Sequence, residues 1–117
     1  MTVALKFAKD SQGYTTFAAT PADVILNANM LNGVEDSITV PSVSAYYTVA
    51  FNYQPGTTFW VDVTGATAVA PIVGTLESAT SVLNPSSYLL PAAATISVIT
   101  SNDTADLSIS MWQGGTV

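Results

Sequence analysis

Short runs of Val, Ile, Thr, Tyr and Phe alternate with smaller or polar residues along the whole chain, and Pro, Gly, Asn and Asp clusters interrupt them at about 8 to 15-residue spacing. Successive side chains of a strand point to opposite faces of a sheet, so this rhythm specifies half-buried strands. Helical periodicity is weak; only residues 66–70 and 75–83 could hold a short turn, and neither has an amphipathic face. The runs predict strands at 3–8, 14–18, 23–28, 37–40, 45–53, 58–64, 88–90, 95–100 and 105–112. Eight or so strands in 117 residues suit a single all-β domain, 1–117, folded as an antiparallel β-sandwich of jelly-roll-like design.

Two stretches allow a finer reading, because cross-strand neighbours must share a face. Tyr47, Val49, Phe51 and Tyr53 occupy odd positions, and beyond Pro55-Gly56 so do Phe59, Val61 and Val63. A hairpin here requires an odd loop, pairing Gln54 with Thr58 or Tyr53 with Phe59; a four-residue loop would put Trp60 in the core. Further on, Ile96 and Val98 are even while Leu107, Ile109 and Met111 are odd, which fits a hairpin around residues 101–104. That register sets Ile96 against Ile109 and Val98 against Leu107, and makes an outer hydroxyl ladder of Ser97 with Ser108 and Thr95 with Ser110. Pro71, Pro85 and Pro91 break the region 65–94 into pieces, as expected of a long crossover between sheets. Residues 114–117 read as a loose tail.

Composition narrows the function. Apolar residues make up 49% of the chain but charged ones only 9%, against about 25% in ordinary soluble domains. Ser and Thr can hydrate such a surface; alternatively an assembly covers it, since charge is depleted at interface cores. Eight acids face only Lys6 and Lys9, and there is no arginine, for a net charge of −6. No basic stripe can form, so neither nucleic acid nor an anionic membrane is expected as a partner. With no cysteine, no disulfide holds the fold. Residues 1–10 lack the apolar run of a signal peptide and no stretch approaches about 18 apolar residues, which points to a soluble, cytosolically made chain.

Without His or Cys, the common catalytic triads and zinc sites cannot be built, and the chain is read as a non-enzyme with no cofactor and no metal. Carboxylates are what remains. Asp62 falls on the same outer face as Trp60, resembling a sugar subsite, although an ordinary solvated strand residue explains it as well. A glycosidase would need a second carboxylate about 5 to 9.5 Å away. Glu35-Asp36, Asp103 and Asp106 lie at turns, where Asp bonds nearby backbone amides. Asn102, Asp103 and Asp106 lack the spacing of a calcium loop. Asn102-Asp103-Thr104 matches a glycosylation triplet that a turn equally explains. No phosphate-cradling glycine loop is present.

The aromatics carry more information. Alternation turns Trp60 and Trp112 away from the apolar rows, where an exposed indole is costly unless something covers it. The cover could be a loop of the same domain, a partner subunit or a sugar ring. Tyr46 shares the parity of Trp60, which favours one aromatic patch. Trp60, Trp112, Tyr46 and Asp62 are therefore the candidate interface residues.

The segment from Tyr53 to Val61 (YQPGTTFWV), Leu83-Asn84-Pro85, the segment from Thr95 to Ser110 (TISVITSNDTADLSIS) and the N-terminal Leu5 to Gly13 (LKFAKDSQG) resemble small virion structural proteins of tailed bacteriophages. One departure is Ala92-Ala93-Ala94, where that resemblance leads one to expect a glycine before Thr95. The resemblance implies a homo-oligomeric, often trimeric, sandwich on the capsid or tail. The function expected from it is capsid decoration (cement), stabilising the shell through contacts with proteins such as the major capsid protein, in a virion assembled in the host cytoplasm. Residues 1–20 are then expected to dock on their own domain or on a neighbouring subunit. The alternative is a carbohydrate- or receptor-binding sandwich of a tail or head fibre.

Overall fold

The computed structural model describes residues 7–9, 15–19 and 21–114, and no helix forms among them. The strands are β1 (Phe7–Lys9), β2 (Thr15–Ala19), β3 (Val24–Leu31), β4 (Asp36–Thr39), β5 (Tyr46–Tyr53), β6 (Phe59–Asp62), β7 (Val82–Leu83), β8 (Ser87–Pro91), β9 (Thr95–Thr100) and β10 (Thr104–Gln113). β1 and β2 pair with each other. The other eight form two antiparallel sheets of four, β3-β10-β5-β8 and β4-β9-β6-β7, which enclose one apolar core. The all-β sandwich expected from the alternation is what forms. The docking expected of residues 1–20 concerns a segment that lies largely outside the described residues.

The chain changes sheet at every connection from β3 to β10 except the one joining β6 to β7. In chain order, the first of these eight strands pairs with the last, the second with the seventh, the third with the sixth and the fourth with the fifth. This is a long antiparallel ribbon folded over on itself, closed by the β10–β5 and β9–β6 ladders.

Both expected hairpins are corrected by this order. β5 and β6 belong to different sheets, and the Tyr53 and Phe59 rings meet at 5.3 Å across the core instead of along a ladder. β9 and β10 are likewise split, so Val98 pairs with Asp36 and Val61, while Leu107 pairs with Ala28 and Tyr53. The inward rows are nonetheless as read: Tyr47, Val49, Phe59, Val61, Ile96, Leu107, Ile109 and Met111 are all buried. Alternation dictates which side chains face inward; an arch between sheets satisfies it as well as a hairpin does. The hydroxyl ladder forms with a different partner strand, Ser97 opposite Ser37 and Thr95 opposite Thr39. Ser108 instead lies between Asn27 and Asn52.

Burying each large side chain of this core contributes about 1.5–3 kcal/mol. Tyr47 adds a polar anchor, since its hydroxyl oxygen accepts the backbone amides of Val43 and Ser44, both at 3.1 Å. Among the described residues, two that are not glycine have left-handed backbone. Asn84 (φ 42°) suits that conformation, and its amide clamps the strand end by accepting from Phe59 N at 2.7 Å and donating to Thr57 O at 2.9 Å. Ala93 (φ 64°) has no such compensation from its methyl side chain, and lies in the turn where a glycine was expected. Ala93→Gly is therefore expected to raise unfolding free energy by about 1 kcal/mol in urea titration. A drop in stability would show that the turn is not strained.

Candidate docking surface

In β6, alternation drives Phe59 and Val61 into the core and turns Trp60 and Asp62 to the outer face of the sheet. That face is not open. The loop 63–81 folds over it, and Asp62 is only 1% exposed, which corrects its expected place on a solvated strand face. The local reason is a set of short hydroxyl side chains at both ends of the loop. Asp62 Oδ1 accepts the Thr64 amide at 2.9 Å and the Thr64 hydroxyl at 2.6 Å, and Oδ2 accepts the hydroxyls of Thr80 and, at 3.4 Å, Ser81. Burial pushes the Asp62 pKa up, but the Thr64, Thr80 and Ser81 hydrogen bonds together outweigh it and hold the carboxyl below its ordinary value. Asp62 is thus an anion at neutral pH, with both oxygens occupied by loop donors.

A second tether lies one strand over. Ser97 Oγ, buried on β9, accepts the Ala68 amide at 2.8 Å and donates to Glu35 Oε1 at 2.8 Å. Within the loop, Val69 N donates to Ser81 Oγ at 3.1 Å, the Ile72 amide donates to the Glu77 carboxylate, and Thr75 N donates to Ile72 O at 3.2 Å. The loop is held at both ends and braced in its middle.

Its tip is apolar and fully solvated. Ile72 is 70% exposed, Val73 99% and Leu76 102%. Residues 63–76 contain no charged side chain. Apolar groups held in water on a pinned loop are costly unless a partner covers them. Beneath the tip, Trp60, half-buried, forms part of an open concavity of about 460 Å³ with Val69, Pro71, Leu76, Glu77 and Ser81.

The remaining expected residues are elsewhere. Trp112 is half-buried on the outer face of the other sheet, opposite Thr48, and Tyr46, 49% exposed, lies on that same face opposite Pro91. The single Tyr46–Trp60 patch is therefore corrected: equal parity on β5 and β6 places the two rings on opposite sides of the sandwich, because the strands belong to different sheets. Asn102 and Asp106 serve the fold, Asn102 Oδ1 accepting Thr58 N and Asp106 Oδ1 accepting Asn29 Nδ2, each at 2.7 Å. The latter pair flanks a shallow groove of mixed character with Asn27, Tyr53, Gln54, Pro55 and Ser108.

Sequence reasoning missed Ile72, Val73 and Leu76. The signal was an apolar Ile-Val pair set between Pro71 and Gly74, two turn formers, inside a long uncharged stretch. No protein-family model, curated protein or solved structure matches the chain.

Proposed function

We propose that this protein is a non-enzymatic assembly module of a virion, a capsid decoration protein that acts as a homotrimer and stabilises the shell by packing its 63–81 loop against other proteins such as the major capsid protein. The observation that carries the reading is the pinned apolar tip, with Val73 and Leu76 fully exposed above a buried carboxylate anchor. The strand orders support it too: a folded-over ribbon of eight strands fits a jelly roll, an architecture common in viral capsids. So does the scarcity of charge, at 9% of residues. A stable contact of this kind removes about 1,200–2,000 Å² from water, and an apolar tip supplies the centre of such a patch.

The test is to locate the chain in purified particles by mass spectrometry and density, where it should cap subunit junctions in threefold clusters through residues 63–81. Absence from the particle would end the proposal. The double substitution Val73→Asp with Leu76→Asp should leave urea stability within about 0.5 kcal/mol. Particle occupancy should fall at least roughly tenfold. Undiminished occupancy would move the contact to another face.

A further inference from the structure

Resting on that docking role, we infer that the concavity between Trp60 and the loop receives a lysine or arginine side chain of the partner protein. Three observations converge on a cation. Trp60 supplies an indole, the aromatic whose face attracts ammonium and guanidinium groups most strongly. Glu77 contributes the one charged side chain of the lining, and the hydrogen bond it accepts from the Ile72 amide orients it. The chain carries few cations of its own, with no arginine and only two lysines, Lys6 and Lys9.

Long-range charge points the same way. A chain of net charge −6 repels acidic surfaces and attracts basic ones, so encounter favours a partner that offers cationic side chains. Val69, Pro71, Leu76 and Ala79 give the lining an apolar part that suits the methylene stem carrying a lysine or arginine head group, and Thr75, Ser78 and Ser81 add neutral hydroxyls. The tip then packs around the stem while Trp60 and Glu77 hold the charge.

The full chain, labelled with ¹⁵N, can be titrated with Nα-acetyl-arginine amide while the Trp60 indole N–H resonance is followed, using neutral Nα-acetyl-norleucine amide and a methyl glucoside as controls. Arginine amide should shift Trp60 saturably and the two controls should not. Glu77→Gln should weaken binding roughly threefold, read at the Trp60 indole, and Trp60→Leu should weaken it roughly fivefold, read at the backbone amides of Val69, Leu76 and Glu77, with the other resonances in place to show that the fold persists. An equal response to norleucine amide, a response to the glucoside alone, or none at all would overturn the inference. None of those results touches the docking role of Val73 and Leu76, which the particle measurement tests separately.

Discussion

Asp62→Ala is expected to lower the free energy of unfolding by about 3 kcal/mol, the loss falling first on the loop it anchors. Hydrogen bonds to an ionised group contribute about 1.5–3 kcal/mol each, and removing the acceptor strands the donors of Thr64, Thr80 and Ser81 beneath the loop. The net loss stays below the sum because the loop can lift and let water in. Urea titration measures the total, and hydrogen exchange at residues 64–81 locates it. Unchanged protection in that loop would mean that Ser97, not Asp62, holds it down.

The same group makes stability depend on acid. Its pKa in the folded chain lies below the ordinary 3.8, so the unfolded chain binds the proton more tightly. The contribution is complete above the unfolded pKa and disappears as pH falls through the folded one. Asp62→Asn should therefore flatten the acid limb of the stability curve below about pH 4. A limb that keeps its slope would assign the acid sensitivity to other carboxylates.

Phe59→Ala should cost about 4 kcal/mol, a large share of the 5–15 kcal/mol typical of a domain. The ring is fully buried and meets Tyr53 across the core, while the backbone on either side is tied to Asn84 and Thr100. Collapse around the cavity is restrained because both sheets are fixed there. Thermal and urea denaturation would both report the change, and a loss under about 1.5 kcal/mol would indicate a core that relaxes into the space.

Much of the architecture was legible because burial is written in parity. Tyr47, Val49, Phe59, Val61, Ile96 and Ile109 could each be assigned inward from their positions alone. Partner strands could not, since β5 followed by a tight Pro55-Gly56 turn reads identically whether β6 continues its sheet or faces it. The site was legible in one half. Trp60 was singled out for its outward direction, whereas burial of Asp62 depends on hydroxyls at positions 64, 80 and 81, which become its neighbours only after the loop closes. The apolar tip escaped because its side chains lie largely in solvent, and periodic patterns register only side chains that pack in the core.

The folded-over ribbon also sets a schedule for folding. β3 and β5 do not pair with each other; β5 first meets β8, whereas β3 waits for β10, which begins at Thr104, far beyond the end of β3 at Leu31. Among β3 to β10, only β6 and β7, bracketing the 63–81 loop, are consecutive strands that share a ladder. The chain should therefore zip outward from the loop, slowly, on the millisecond-to-second scale of non-local β topologies. Until the zipper reaches β3, the outer strands remain unpaired edges and can pair with other chains, so the protein is most vulnerable to aggregation while its 63–81 loop is already bracketed by paired strands.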